Sequence, residues 1–416
     1  MRSRPRLVLT LLVLSVFINY VDRGSLSVAA PVLSKELGLS PSSLGLLFSA
    51  FFWTYAAFQI VAGWMVDRYS VKWVYACGFL MWSLATAATG WVNTFAALFV
   101  CRLVLGMGES AAYPACSRIL ARHVPEERRG MANAWIDMGS KAGPALSTLA
   151  GGLIIEQWGW RYLFWGAGLI SLLWLPAWIS SFEEDKTSER QVSEERSPGF
   201  LEILERREAW GTSLGMFSLG YVWYFLLSWV PSYLVKDRGY DLRSMAFFGA
   251  LPLAGMGVAT VVFAWWSDRL IRHGVSPTRV RRGCLMAGLV LTGILLVAAA
   301  AAADRWVSLV LLIAAHLALG LHTANCWATT QTLAGPAAAG RWSGIQNAVG
   351  NLGGVVSPLV TGFAVERSGS FLSAFAVAAV IGAAGALAYL AFVPRVEPVN
   401  WGQVRSMEEI ARVELH

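Results

Sequence analysis

Six charged residues interrupt long apolar stretches in the first half of this sequence. They are Asp22, Arg23, Arg102, Glu109, Asp137 and Lys141. A charged side chain at the centre of a membrane-spanning helix costs about 2.5 to 3.5 kcal/mol, so several of them facing lipid would cost on the order of 10 kcal/mol. We therefore expect these residues to face one another or a water-filled cavity.

Two of these groups, Arg23 and Arg102, are suited to binding an anion, because a guanidinium stays protonated and presents forked donors to a carboxylate. Asp22 and Glu109 are candidate proton carriers, since a carboxyl group in a low-dielectric cavity is costly to ionise and holds a proton more readily. The alternative is a set of internal salt bridges that only hold helices together. Stability alone explains such pairs poorly, because replacing them by apolar residues is often neutral or stabilising.

The spacing of these charges limits which of them pair. Arg102 and Glu109 are seven residues apart, which places them on one helical face but about 10 Å apart along the axis. They pair directly only if the arginine side chain reaches down the helix. Asp137 and Lys141 are four residues apart and can neutralise each other, so this pair is either functional or structural.

Weaker polar candidates lie in other apolar stretches, and each of them either lines a cavity or forms a hydrogen bond between helices. They are Tyr20, Tyr55, Gln59, Tyr221, His316, Thr323, Trp327, Gln346, Asn347 and Asn351.

Twelve apolar segments, each long enough to cross a bilayer as a helix, must position these residues. Their approximate ranges are 7–33, 42–65, 73–92, 95–121, 131–155, 160–182, 210–235, 243–267, 280–303, 305–333, 342–366 and 371–393. The sequence therefore predicts an all-α membrane protein of twelve transmembrane helices.

Composition excludes the main alternatives to a membrane protein. Of 416 residues, 56% are apolar and 14% are charged, which is too few charges to cover a water-soluble domain of this size. The five cysteines sit inside apolar stretches and predict no disulfide framework. The net charge is +7, but most basic residues flank the apolar segments and do not alternate with aromatic residues in a stripe. We therefore expect no nucleic-acid partner. Walker A, H-E-x-x-H, paired C-x-x-C and G-x-S-x-G motifs are absent, which predicts neither an enzyme nor a metal site.

The distribution of Lys and Arg predicts the orientation. Connections on the side of the N-terminus hold 23 of them, and connections on the opposite side hold 7. Since cytoplasmic loops carry the excess of Lys and Arg, we expect a multi-pass protein of a bacterial inner membrane with both termini in the cytoplasm.

The sequence divides into two similar halves. We expect an N-terminal six-helix bundle over 1–182, a cytoplasmic linker with a short amphipathic helix over 183–208, and a C-terminal six-helix bundle with a tail over 209–416. Asp67 and Arg68 follow the second segment, and Asp268 and Arg269 follow the eighth, 201 residues later. Such a duplication is typical of secondary transporters, in which the site lies between the halves.

At these residues the chain resembles the major facilitator superfamily over essentially its whole length. Gly63, Asp67, Arg68 and Lys72 are similar to its signature loop between spans two and three, with Ser70 where a second glycine is usual. More specifically, three segments resemble the anion:cation symporter family, which includes sugar-acid and hexuronate transporters and is related to vesicular glutamate transporters and sialin. They are Asn19–Arg23, the Arg102 to Pro114 stretch with Gly106 and Glu109, and Trp229–Leu234.

The resemblance implies two pseudo-symmetric six-helix bundles around a cavity that opens alternately to either side. It implies Arg23, Tyr20 and Tyr55 as contacts to an anion or its hydroxyls, Asp22 and Glu109 as protonation sites, and Arg102 as their charged partner. It adds Trp327 and Asn347 as contacts from the second half, and Asp67, Arg68, Asp268 and Arg269 as gating residues together with Gly63 and Lys72. Ser140 occupies a position where sugar-acid members carry a longer polar side chain, and Asp137 and Lys141 are charges unexpected there.

The sequence therefore predicts a proton-coupled symporter that imports an organic anion, such as a sugar acid or a similar hydroxylated monocarboxylate. We expect no cofactor, the proton gradient being the driving force, and a monomer in the lipid bilayer. An antiporter or uniporter of the same fold is the first alternative, although adjacent arginines repel cations. A non-transporting membrane sensor is the second, disfavoured because the sequence predicts no sizeable soluble output domain.

Overall fold

The computed structural model describes residues 5–123, 126–183 and 198–401, and the regular structure within these ranges is helical. In chain order the helices are α1 (Pro5–Glu36), α2 (Pro41–Arg68), α3 (Val71–Thr89), α4 (Phe95–Glu109), α5 (Ala112–His123), α6 (Glu126–Trp158), α7 (Trp160–Ser171), α8 (Trp174–Ser181), α9 (Phe200–Leu204), α10 (Arg207–Lys236), α11 (Leu242–Arg272), α12 (Gly283–Ala301), α13 (Arg305–Ser368) and α14 (Phe371–Phe392). A single π-helical turn, Thr278–Arg282, leads into α12.

The twelve predicted spans are found as helices in the fold. Ten stretches of the described chain are long and apolar enough to cross a membrane, and α3 and the more highly charged α6 complete the set. The fourth span consists of α4 and α5, because Pro114 lacks the N–H that would bond to Ser110, and the helix breaks directly after Glu109. The sixth span is likewise divided into α7 and α8. Spans ten and eleven are the two parts of α13, separated at Gly335, whose φ is 64°.

Local chemistry sets several helix boundaries. Ser40 accepts a hydrogen bond from the Ser43 backbone N–H at 3.2 Å at the start of α2, and Asp241 accepts one from the Ser244 backbone N–H at 2.7 Å at the start of α11. Gly369 ends α13 in the left-handed conformation, with φ 67°. These three boundaries lie at the same end of the molecule, where the two bundles are in contact.

The helices form two six-span bundles. In the first, α1 packs on α6, α2 on α4, and α3 on α4 and α7; in the second, α10 and α12 pack on α13 and α14. Residues 184–197, which carry most of the predicted linker, lie outside the described residues, so its bounds stay a prediction. The short helix α9 exposes Phe200 and Leu201 and buries Ile203. Its position on a membrane surface stays a prediction.

The two bundles close on each other at the end where α1 meets α2. The Ser42 backbone N–H donates to Glu366 Oε2 at 2.8 Å, and Lys236 Nζ donates to Ser34 Oγ at 2.7 Å. We call this end, defined by Ser34, Ser42, Lys236 and Glu366, the closed end. The opposite end, where α2 ends at Arg68 and α9 lies, is called the linker end.

The crevice between the bundles opens toward the linker end. At the closed end Gly152 of α6 touches Ala246 of α11. Eleven residues earlier, about 16 Å along the helix, Lys141 lies near Gly257 of α11 and Trp223 of α10. The Asp137 side chain, one turn further, is 57% exposed. A carboxylate exposed to this degree requires water rather than lipid, so the crevice is accessible down to Lys141.

The closed end depends on glycine at position 45, because a Cβ there would overlap the carbonyl oxygen of Pro358 across the bundle interface. We expect Gly45→Ala to disfavour closure by about 1 to 3 kcal/mol, a roughly 5- to 150-fold change in the equilibrium between the closed and open forms of this end. Gly166→Ala is the matched control, since a Cβ there meets no atom within 4 Å. Spin labels at Lys35 and Arg367 should report longer distances in Gly45→Ala and unchanged ones in Gly166→Ala; equal distances in both variants would contradict the prediction.

Candidate functional site

A buried ion pair between α1 and α4 lies at the centre of the first bundle. Arg23 Nε donates to Glu109 Oε2 at 2.7 Å, and the exposed fractions of the two side chains are 3% and 0%. The break after α4 places Glu109 in its last turn, facing α1. Removing either partner would leave a charge buried without its counter-ion.

Aromatic rings surround the Arg23 guanidinium. Its Cζ lies 4.6 Å from the ring centroid of Tyr20, 4.5 Å from that of Tyr55 and 4.8 Å from that of Phe51. These distances are those of cation–π contacts. The Tyr113 hydroxyl donates to the Tyr20 hydroxyl at 3.4 Å, so the enclosure has a polar rim as well as apolar walls. We call Arg23, Glu109, Tyr20, Phe51 and Tyr55 the arginine pocket.

Arg102 is buried beside this pocket, with its Cζ 5.2 Å from the Phe51 ring, but it forms no ion pair with any described residue. The resemblance implied Arg102 as the charged partner of the carboxyl groups; in this structure Arg102 is an electrostatic neighbour of Glu109 and Asp22, while Arg23 forms the direct ion pair with Glu109. The helical rise explains the difference, since Arg102 and Glu109 are two turns apart on α4 while Arg23 approaches from a neighbouring helix.

Several polar atoms around the ion pair are buried without a hydrogen-bond partner among the described residues. They are the amide oxygen and nitrogen of Asn19, both carboxylate oxygens of Asp22, Arg23 Nη2, Thr86 Oγ1, Arg102 Nε and Glu109 Oε1. Asp22 lies within electrostatic range of Glu109 and Arg102. Thr86 approaches Asp22, and Asn19 approaches Glu109. These groups therefore form one buried polar cluster around the ion pair.

Asp137, Ser140 and Lys141 form a second polar group, on the crevice side of α6. Lys141 Nζ donates to Asp137 Oδ1 and to Ser140 Oγ, both at 3.0 Å. The Ser140 hydroxyl donates to the Asp137 carbonyl oxygen at 2.7 Å. Lys141 Nζ also lies 5.9 Å from the Trp223 ring of the other bundle. The i,i+4 pair that the spacing predicts therefore forms, and it faces the partner bundle.

The second bundle contributes Tyr224, which the sequence analysis missed in favour of Tyr221. The Tyr224 hydroxyl donates to Asn351 Oδ1 at 3.3 Å, and its ring lies 4.4 Å from the Phe52 ring. Tyr224 is also an electrostatic neighbour of Arg23. The Tyr221 side chain, one turn away, is fully buried and its hydroxyl faces Thr361.

The other candidates of the second bundle do not join the arginine pocket by direct hydrogen bonds or ring contacts among the described residues. Trp327 and Asn347 are partly exposed, and neither side chain hydrogen-bonds to another described residue. His316 is buried, with Nδ1 2.8 Å from the Leu312 carbonyl oxygen, and Thr323 bonds to Leu319 of its own helix. Gln59 Nε2 of the first bundle donates to the Tyr55 hydroxyl at 3.5 Å.

The predicted gating residues lie at the linker end. Arg68 is exposed at the end of α2, and Lys72 Nζ lies 5.9 Å from the Trp73 ring. Asp268 Oδ1 is 3.7 Å from a guanidinium nitrogen of Arg281, and Arg269 stacks on Trp265 at 5.4 Å. A Cβ added at Gly63 would meet no atom within 4 Å, and the Asp67 side chain lies outside the described residues.

The sequence analysis missed Tyr113, Trp223, Phe51 and Thr86. Neither their residue types nor their spacing in the sequence indicates a place in the site. Aromatic residues are common in these spans, and only their position opposite Arg23 or Lys141 in the folded bundle distinguishes them. Tyr113 had a weak local signal, since it lies one turn beyond Glu109, beside the helix break.

Comparisons with known proteins agree with this architecture. The sequence profile of the Major Facilitator Superfamily matches residues 12–279 and 278–414. The chain is 33% identical over 399 residues to a probable sulfoacetate transporter of Cupriavidus necator, covering 92% of this chain and 93% of that protein. It is 30% identical to a hexuronate transporter of Bacillus subtilis, covering 94% and 96%, and 28% identical to a probable galactarate/D-glucarate transporter of Escherichia coli, covering 88% and 90%.

Solved structures match the fold at lower identity. A bacterial homologue of the human lysosomal transporter Spinster, in an inward-facing and unoccupied conformation, superimposes with a TM-score of 0.80 at 19% identity, covering 95% of this chain and 98% of that chain. The nucleoside transporter NupG superimposes with a TM-score of 0.73 at 13% identity, covering 92% and 99%.

Proposed function

Since this chain belongs to the major facilitator superfamily, we propose that it is a proton-coupled symporter that imports a small organic acid. The observation that carries the proposal is the Arg23–Glu109 ion pair, buried inside an aromatic pocket beside a crevice that is open at one end. An arginine paired with a carboxylate in an enclosed site can bind either of two anions, the internal carboxylate or the carboxylate of a transported molecule.

Coupling follows from competition for Arg23. When Glu109 is ionised, it occupies the guanidinium and completes a neutral pair. When Glu109 takes up a proton, its hold on Arg23 weakens, and the forked N–H donors become free for the carboxylate of a substrate. Loss of that proton at the other side returns Glu109 to Arg23 and displaces the anion. Asp22, buried nearby within electrostatic range of Glu109, is proposed as a second proton carrier.

The relatives support the substrate class. Their names refer to sulfoacetate, galactarate, D-glucarate and hexuronates, all organic acids. Some of these molecules carry one acidic group and others carry two, so the names leave open the number of acidic groups on the molecule carried here. The hydroxylated monocarboxylate predicted from the sequence is therefore one member of the proposed class.

We assign the linker end to the cytoplasm of a bacterium, because the Lys and Arg excess lies on that side. The described conformation then corresponds to the inward-open state of a monomer in the inner membrane. Import requires the closed end to open, which breaks the contacts of Ser42 with Glu366 and of Ser34 with Lys236.

The test is uptake by proteoliposomes containing the purified protein. With an acidic exterior, a panel of glucarate, gluconate, glucuronate and sulfoacetate should include an acid that accumulates against its gradient. One pH unit supplies about 1.4 kcal/mol per co-transported proton, enough for about tenfold accumulation when transport is electroneutral. A protonophore should abolish accumulation, and an imposed voltage should alter it if net charge moves.

Other outcomes identify the alternatives. Flux that equilibrates but ignores both the pH gradient and the voltage would indicate a uniporter. Acid-driven efflux of a cation would indicate an antiporter, and binding without flux would indicate a sensor.

A further inference from the structure

Lys141 provides a second cation, on the crevice side of the arginine pocket. Its Nζ holds Asp137 Oδ1 and Ser140 Oγ at 3.0 Å each. A lysine ammonium has three donors, and the two hydrogen bonds leave one of them free. The side chain is 22% exposed, so the free donor can reach a molecule in the crevice.

Tyr20 connects this cation to Arg23. The Arg23 guanidinium lies over the Tyr20 ring at 4.6 Å, and Lys141 is an electrostatic neighbour of the same tyrosine. The backbones are held together at this point, because a Cβ on Gly143 of α6 would lie 2.8 Å from the Tyr20 Cβ. Both cations therefore lie near the Tyr20 side chain, one on α1 and the other on α6.

The two cations differ in how deeply their ion pairs are buried. Arg23 and Glu109 are almost wholly buried, so access to Arg23 requires the loss of a strong internal partner. The i,i+4 pair of Lys141 with Asp137 is less enclosed, because 22% of the Lys141 side chain and 57% of the Asp137 side chain are exposed. An additional anion can therefore approach Lys141 without first displacing a buried partner.

The partner bundle closes over this cation. Trp223 of α10 faces Lys141 Nζ at 5.9 Å, and a Cβ added to Gly257 of α11 would lie 3.7 Å from the Cβ of Lys141. A molecule held by Lys141 thus lies between the two bundles, where movement of one against the other would enclose or release it.

We propose that Lys141 binds a second acidic group of the transported molecule, so that the substrate is a small organic dianion spanning Arg23 and Lys141. This inference rests on the proposed transport function and refines its substrate class. Ser140 and Asp137 orient the ammonium, and the carboxylate of Asp137 competes weakly with the second acidic group.

The experiment compares matched acids with one and two acidic groups on the purified full-length protein. Glucarate is paired with gluconate, and sulfoacetate with acetate, and affinities are measured by calorimetry. Loss of a charged hydrogen bond should weaken binding of the dianion by about ten- to hundredfold in Lys141→Met, while binding of the monoanion stays within about threefold. Lys141→Gln, which keeps a polar side chain, serves as the second variant should the methionine variant fold poorly.

Two control variants separate the role of this lysine from general charge effects. Lys35→Met removes an exposed lysine far from the crevice and should leave both affinities unchanged. Asp137→Asn removes the competing carboxylate and should keep or increase the preference for the dianion.

The outcomes distinguish this inference from the proposed function. Equal affinities of the unaltered protein for paired acids, or an unchanged preference for the dianion in both Lys141 variants, would overturn the dianion proposal while transport of an organic acid stands. If no acid of either kind binds or accumulates, the proposed function itself fails.

Discussion

Replacing Arg23 by alanine is expected to abolish transport of every substrate and to lower the free energy of unfolding by about 3 to 5 kcal/mol. The loss of stability follows because Glu109, wholly buried, is left without its counter-ion. The loss of transport follows because the group proposed to receive the substrate carboxylate is gone, together with its contacts to Tyr20 and Tyr55. Thermal unfolding in detergent and uptake by proteoliposomes measure the two effects.

A double variant, Arg23→Ala with Glu109→Gln, separates binding from stability. It removes both members of the ion pair, so no charge is left unpaired at this position and much of the lost stability should return. Transport should remain absent, because the double variant still lacks the guanidinium. If the ion pair served only to hold α1 against α4, transport would recover together with stability. Recovery of uptake in the double variant would therefore contradict the role of Arg23 in binding.

The burial of the charged residues could be predicted from the sequence. Asp22, Arg23, Arg102 and Glu109 were expected to avoid lipid because of the cost of placing charge in a bilayer, and all four are buried. That cost depends only on residue type and depth within an apolar span. It therefore decides which way these residues face without any knowledge of their partners.

The pairing within the cluster could not be predicted in the same way. Spacing along one helix relates Arg102 to Glu109, but the choice of Arg23 as the partner depends on how closely α1 approaches α4 and on the break at residues 110 and 111. The position of Phe51 in the sequence does not indicate that it contacts either arginine. Its ring lies near both because α2 packs on α4. Such contacts between helices are set by packing, and apolar spans of similar composition pack in many ways.

The open and closed ends lie beyond sequence analysis for a different reason. A transporter that alternates has at least two conformations of one sequence, with free energies that differ by a few kcal/mol. Glycine at position 45 allows the closed end to form, because a Cβ there would overlap the Pro358 carbonyl oxygen. It does not decide how often that end is closed, which is why the label distances at Lys35 and Arg367 are informative.

Glu109→Gln is expected to abolish accumulation driven by a proton gradient while sparing exchange of substrate across the membrane. A glutamine amide has nearly the shape of a protonated glutamate, and it can accept the hydrogen bond of Arg23 Nε without neutralising the guanidinium. Arg23 is then permanently available to a substrate, so binding and exchange continue. No proton is bound or released at this position, so the gradient no longer drives uptake.

The same variant should remove most of the pH dependence of substrate affinity. In the unaltered protein, rising pH favours the ionised Glu109, which competes for Arg23, so affinity should fall as the pH rises. With glutamine at position 109 this competitor is absent, and affinity should be higher and nearly independent of pH. Calorimetric titrations of the same acid at several pH values measure the difference.

Asp22→Asn provides the matched comparison, because Asp22 is equally buried but does not pair with Arg23. Its substitution should impair proton-driven accumulation if Asp22 carries a proton, and should leave the competition between Glu109 and substrate in place. The pH dependence of affinity should therefore persist in Asp22→Asn and disappear in Glu109→Gln. Persistence in both variants, or accumulation at the unaltered level in Glu109→Gln, would assign the coupling to another group.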